Sequence, residues 1–163
     1  MWWRIVRPGS DPLLWTSVPA DGRWQRGAVI RAFYLADSED TAWSEWFRHT
    51  AEVGVRPARR LPRETWRYRV AVDGIADLAH NGVLDAHGIV ELLPTRRQWR
   101  LTQPVGEAYW TAGFRGLMAP SAARLGGRVL AIFRPTVQIP GVRANPPPNH
   151  YDGLPRIPTG LRT

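Results

Sequence analysis

Arg23, Tyr34 and Glu45 stand at equal intervals of eleven residues, and Ser121 follows far downstream in Met-Ala-Pro-Ser-Ala (118–122). A guanidinium fork matches phosphate oxygens. An aromatic ring stacks on a planar base, and a carboxylate steadies developing positive charge. A hydroxyl can bond a ribose or orient another group. Together these side chains suit gripping a nucleotide and cleaving a glycosidic bond, a reaction that passes through an oxocarbenium-like transition state. Each also has a plainer role. Arg23 could be an ion-paired surface residue, Tyr34 a core residue, Glu45 half of an exposed pair with Arg48 or His49, and Ser121 a turn residue or helix cap.

The elements that must position them can be read from the pattern. Trp3–Arg7 reads as an opening strand stopped by Pro8-Gly9, and residues 8–28, rich in Pro, Gly and Asp, read as loop, which places Arg23. Val29–Ala36 is a short apolar run with β-branched and aromatic residues, a buried strand carrying Tyr34. Asp37-Ser38 offers an N-cap with Glu39 and Asp40 in the first turn, and the spacing predicts a helix to about Val53, ended by Gly54. Its apolar face is Ala42, Trp43, Trp46, Phe47, Thr50 and Ala51. At about 100° per residue, Glu45 falls on the flank of that face beside Ala42 and His49, where a carboxylate can look into a cleft.

Further on, Trp66–Val72 alternates as a strand, and Asp73-Gly74 turns it. The stretch from Ile75 to Glu91 is broken by Gly82 and Gly88 and stays ambiguous. Thr102 can cap a helix running to Ala112, with Gly113 as its stop. Gly116–Ala119 and Val129–Phe133 read as short strands, the first leading into Ser121. After Pro135 the prolines and glycines predict an extended tail. The layout is α+β: a single mixed domain with a compact β core over residues 1–134, then an extension over 135–163. No strand is followed by a glycine-rich phosphate loop, which excludes Rossmann and P-loop readings.

Composition narrows the chemistry. The net charge is +8, and every one of the 22 basic side chains is arginine. Without lysine there is no Schiff base; without cysteine there is no thiol nucleophile, thiolate metal site or disulfide. His49, His80, His87 and His150 share no metal-ligand spacing with carboxylates, so no metal is expected. No apolar run approaches the ~20 residues of a membrane span, and the N-terminus lacks the apolar stretch of a secretion signal. The expectation is a cytoplasmic protein away from the membrane. The charge and the nine tryptophans leave one alternative, a basic nucleic-acid-binding module. Against it, Arg59-Arg60 and Arg96-Arg97 read as solvated faces and most tryptophans fall in predicted core elements.

Gly22-Arg-Trp24, then Tyr34-Leu-Ala-Asp-Ser38, then Ala42-x-x-Glu45 in this order resembles the RES domain family, named for an Arg, a Glu and a Ser. Trp2-Trp-Arg-Ile-Val-Arg7 is similar to the family's opening strand, Thr102-Gln-x-x-Gly106 to its Thr-Gln-x-x-Gly helix, and Pro120-Ser-Ala122 to its serine segment. The resemblance covers residues 1 to about 134 and assigns the family's functional residues to Arg23, Tyr34, Glu45 and Ser121. It implies a fold similar to that of ADP-ribosyltransferases. It also implies a toxin of a toxin–antitoxin pair that takes NAD as substrate, with no further cofactor, by hydrolysis or phosphorolysis, or else ADP-ribosylates a protein. The partner so implied is an antitoxin, often an Xre-like helix-turn-helix protein, covering the active site. In that frame Glu45 supports the oxocarbenium-like centre, Arg23 holds the pyrophosphate or a ribose, Tyr34 stacks on nicotinamide, and Ser121 bonds substrate or orients Glu45. Two departures stand out: Gln25 and Arg26-Gly27 follow Trp24 where the family carries a small polar residue and Pro-Gly, and Phe133-Arg-Pro135 replaces an Asn-Pro ending, Asn145-Pro146 being a possible displaced remnant.

Overall fold

A computed structural model describes residues 1–162. Seven strands form one sheet: β1 (Trp2–Val6), β2 (Ala32–Ala36), β3 (Arg63–Val70), β4 (Ile75–Asp77), β5 (Gly116–Pro120), β6 (Arg128–Phe133) and β7 (Val142–Tyr151). Their order is β4-β5-β6-β2-β1-β3-β7; only β4 and β5 run parallel. Among the described residues three α-helices accompany them: α1 (Glu39–Glu52), the short α2 (Val83–Ala86) and α3 (Trp99–Thr111). The fold is α+β in a single domain.

The centre of the sheet is buried on both faces, and the two-residue period sorts its side chains. On β6, Val129, Ala131 and Phe133 join one cluster with Trp24, Leu117 and Ala119, while Leu130 and Ile132 join the other with Phe33, Leu35 and Tyr68. Tyr34, between Phe33 and Leu35, therefore packs with the first cluster.

Helix α1 forms where its signals predict. The Ser38 side chain accepts from Thr41 N at 3.1 Å, Glu39 and Asp40 occupy the first turn, and Gly54 (φ +66°) ends the helix. Other boundaries move. β2 starts at Ala32, because Val29 and Ile30 turn back to hydrogen-bond the carbonyl of Arg26. β3 begins three residues before Trp66 and stops at Val70. Thr102 is no cap: a 3-10 turn over Arg96–Gln98 leads into α3, Thr95 caps that turn, and Thr102 lies buried inside the helix.

The segment after Pro135 is extended in backbone but is not a loose tail. Residues 142–151 pair antiparallel with β3 as the last strand of the sheet. Proline is tolerated there because one side of an edge strand needs no ladder donors. Pro146, Pro147 and Pro148 sit where the pairing register shifts, between Asn145↔Arg67 and Asn149↔Thr65. Glu39 ties this edge to α1, accepting hydrogen bonds from Tyr151 Oη (2.9 Å), Asn149 Nδ2 (3.0 Å) and Thr65 Oγ1.

Candidate active site

A cleft of about 340 Å³ opens between α1, the neighbouring central strands β1 and β2, and the loop that carries Arg23. Arg23, Tyr34 and Glu45 all line it. So do the rings of Trp3, Trp24, Trp46 and Trp99 and the guanidinium groups of Arg48 and Arg96.

Glu45 projects from α1 alongside Ala42, Trp46 and His49, the flank the helical period predicts, and all four line the cleft. Both of its oxygens are held. Oε1 accepts from Ser121 Oγ at 2.7 Å and Oε2 accepts from Arg48 Nε at 3.2 Å. A quarter of the side chain stays exposed. Ser121, just past the end of β5, is buried behind it. Its oxygen accepts from Ala123 N (3.1 Å) and Arg124 N (3.0 Å), so its single proton is free to go only to Glu45. Arg48 is in turn fixed by Glu52, 2.8 Å away though not aligned as a hydrogen bond. The carboxylate thus reaches the cleft in one orientation, set by a serine 76 positions downstream and an arginine one turn along its own helix.

Arg23 is supported differently. Its side chain is buried and has no carboxylate partner among the described residues; Nη1 donates to Gln98 Oε1 (3.0 Å) and Nη2 to the Leu93 carbonyl (2.8 Å). Burial, reinforced by Arg48, pushes its pKa down to about 10, against the pull of Glu45 and Glu52. It remains a cation at neutral pH. A buried cation satisfied only by neutral acceptors keeps much of its attraction for an anion.

The loop around Arg23 is docked onto α3. Thr102 Oγ1 donates to the Arg23 carbonyl (2.6 Å), and Gln103 Nε2 donates to the carbonyls of Gly22 (3.0 Å) and Gln25 (3.3 Å). One turn further, Gly106 lies directly beneath Trp24: a Cβ there would overlap the Trp24 carbonyl oxygen. The Thr-Gln-x-x-Gly spacing is explained by this contact, since positions i, i+1 and i+4 share one helix face. Glu107 completes the clamp by accepting from Arg26 N (2.9 Å) and Arg26 Nε (2.8 Å). The side-chain hydrogen bond from Arg26 is the main reason the Glu107 pKa falls below its ordinary value.

Tyr34 secures the same loop from the sheet side. Its hydroxyl accepts from Trp24 N (3.1 Å) and donates to Gln25 Oε1. Burial raises its pKa, so the phenol stays protonated. Gly22 leaves room for it, because a Cβ at Gly22 would overlap the tyrosine hydroxyl. His49 is held below its ordinary pKa, first by burial and then by Arg96, Arg48 and Arg60, and is neutral at pH 7.

The structure therefore brings Arg23, Tyr34 and Glu45 to one cleft and sets Ser121 behind Glu45. The sequence reading missed Gln98, Gly106 and Glu107 as supports of the Arg23 loop, for they follow it by about 80 residues. The Glu45–Arg48 pair, read from the sequence as an exposed i,i+3 pair, does form, but Arg48 is buried and lines the cleft. Arg96, read as part of a solvated face, stands at the cleft instead, about half exposed and 3.4 Å from Glu52. None of the nine tryptophans is exposed, and Trp24 and Trp43 are fully buried.

Fold and cleft together define a small α+β domain whose cleft carries a clamped carboxylate among aromatic rings and guanidinium groups. The chain belongs to the RES domain family, whose match runs over residues 1–150 and so includes most of β7. It is 30% identical over 128 residues to Probable NAD(+) phosphorylase Rv3189 of Mycobacterium tuberculosis, an alignment covering 77% of this chain and 61% of that protein. The chain thus spans less than two thirds of that relative's length. The toxin–antitoxin complex MbcT–MbcA of M. tuberculosis contains a similar fold, with a TM-score of 0.72 at 22% identity, covering 99% of this chain and 87% of that one.

Proposed function

We propose that this chain is the toxin of a toxin–antitoxin pair and consumes NAD by cleaving its nicotinamide–ribose bond, by phosphorolysis or hydrolysis. The observation that carries the reading is the Ser121–Glu45–Arg48 arrangement, which presents one oriented carboxylate to a cleft lined by the buried cation Arg23. As nicotinamide departs with the bonding electron pair, positive charge grows on the ribose. A carboxylate already held by two donors need not reorganise to stabilise that charge. Ser121 acts here as a positioning residue, because its proton is committed to Glu45. Arg23 offers its remaining donors to the pyrophosphate. The ring of Tyr34 and those of Trp3, Trp46 and Trp99 supply stacking surfaces for the bases.

In phosphorolysis a phosphate oxygen bonds the ribose carbon that nicotinamide leaves; in hydrolysis water does. Arg23, Arg48 and Arg96 around one carboxylate favour a second oxyanion in the cleft, and the curated relative is named a phosphorylase. The same oxocarbenium-like step would serve transfer of ADP-ribose to a protein. The cognate partner in this reading is an antitoxin, an Xre-like helix-turn-helix protein, that covers the cleft; the MbcT–MbcA pairing of the structural relative supports the antitoxin partner. The cytoplasm, where NAD is abundant, is the compartment it implies.

The test is product analysis of NAD incubated with the purified, antitoxin-free chain, with and without phosphate. Nicotinamide plus a phosphorylated ADP-ribose, formed only with phosphate, identifies phosphorolysis; free ADP-ribose identifies hydrolysis. Intact NAD in both arms, with no ADP-ribosylated protein, would refute the reading.

A further inference from the structure

A second groove, of about 480 Å³, lies beyond the C-terminal end of α1 and is lined by Arg7, Pro8, Val55, Arg59, Arg60, Leu61, Pro62 and Arg63. Four of these are arginines and none is acidic. Among the described residues, no side chain of Arg7, Arg59, Arg60 or Arg63 makes a hydrogen bond or an ion pair. Arg63 is 8% exposed, and its Nε is buried without a hydrogen-bond partner.

That arrangement is costly if it stays empty. Each buried guanidinium donor without an acceptor loses its hydration uncompensated. Like charges gathered in one concavity also raise its potential, so that anions concentrate there. The neighbours that bear on Arg63 are themselves cations: burial lowers its pKa first, and Arg7 and Arg60 lower it further. Elsewhere among the described residues Arg26, Arg48, Arg96, Arg124 and Arg162 have carboxylate partners; in this groove four arginines meet with no acidic residue in the lining.

We infer that this groove is a binding site for a small phosphorylated anion, separate from the cleft. Planar guanidinium forks match phosphate oxygens. A phosphate brings about two negative charges at neutral pH, whereas one carboxylate would leave most of the cluster unneutralised. The site does not rest on the NAD reading, because none of its four arginines lines the cleft. It is nevertheless adjacent to it. The guanidinium of Arg63 lies 5.9 Å from the ring of Trp46, and Trp46 is part of the cleft wall. An anion seated against Arg63 would stand behind that wall.

Calorimetric titration of the folded chain with tripolyphosphate, at constant ionic strength, tests the assignment. The comparison is an Arg7→Gln/Arg60→Gln double variant, with Arg59→Gln as a second probe. Among the described residues these side chains make no hydrogen bond or ion pair, so melting profiles should match wild type. Affinity should fall at least tenfold in the double variant and severalfold in R59Q, and inorganic phosphate should bind the same site more weakly. An isotherm for the double variant superimposable on wild type would overturn the inference, because all binding would then belong to the cleft arginines. A tricarboxylate binding as tightly as tripolyphosphate would overturn the phosphate preference.

Discussion

The two walls of the cleft are built on different principles. The Glu45 wall is a regular helix: Ser38 caps it, Gly54 ends it, and the carboxylate takes its direction from helical geometry. Its partners are one residue on the same helix and one serine beside it. The Arg23 wall has almost no regular structure of its own. It is a short loop closed by the Gly22–Gln25 bridge and held by α3 and Tyr34. One wall is positioned by local propensity, the other by long-range hydrogen bonds and a single close approach at Gly106. Substitutions should therefore fail in different ways on the two sides: in chemistry without loss of fold on the helix, in both together on the loop.

The sharpest break is Glu45→Gln. The amide can still accept from Ser121, so the helix and its cap should persist and melting should be nearly unchanged. Charge stabilisation would be lost, and NAD turnover should fall by about 10²–10⁴-fold, the range for removing a positioned catalytic carboxylate. A residual rate within a fewfold of wild type would remove Glu45 from the chemistry.

Gly106→Ala tests the other wall. The new methyl must displace the Trp24 carbonyl or the helix beneath it. Overpacking of this kind costs ~1–3 kcal/mol, and displacing a positioned group by even ~1 Å can cost about 10²-fold in rate. Activity and melting temperature should fall together. Full activity in G106A would mean that Arg23 does not depend on the α3 dock.

This contrast also governs what could be read from the sequence. Helix α1 was legible because its cap, its apolar spacing and its stop are all local, and Glu45 came with it. Tyr34 was legible as a strand residue, but its hydrogen bonds to the Trp24 amide and Gln25 were not, since they depend on how the loop folds back over the strand. Thr102 illustrates the limit. A threonine ahead of an apolar helical run reads as a cap, yet here it sits one turn inside the helix and spends its hydroxyl on the Arg23 carbonyl. The prolines after 145 read as tail because proline opposes strand pairing, and only the tolerance of an edge strand, with a shifted register opposite them, admits them to the sheet. Pairings between residues 23 and 98, or 26 and 107, leave no periodic trace in a single chain.

Ser121→Ala should have a smaller effect than either. It frees one oxygen of Glu45 and strands the Ala123 amide in the interior, where an unsatisfied donor costs ~1–3 kcal/mol. Because Ser121 positions the carboxylate and does not line the cleft, kcat should drop roughly tenfold, about 1.4 kcal/mol of barrier, with KM little changed. A rise in KM at constant kcat would instead make Ser121 a substrate contact.

The smallest effect concerns acid. On the Arg23 wall, Glu107 accepts the Arg26 side chain and backbone amide, and its folded pKa is depressed below the ordinary 4.5. A depressed carboxyl contributes stability that is complete above its unfolded value and is lost as pH falls through the folded one. The Arg26–Glu107 clamp should therefore be constant from neutrality down to about pH 4.5 and weaken below it. Arg26 is more than half exposed, so water and salt screen the pair and the gain is modest. Thermal melts of wild type and Glu107→Gln should differ at neutral pH and converge in acid, with the Trp24 fluorescence changing before global unfolding as the loop releases. If the two curves stay parallel down to the acid transition, the loop is held by Thr102, Gln103 and the Gly106 contact alone, and the charged clamp adds nothing to the wall that carries Arg23.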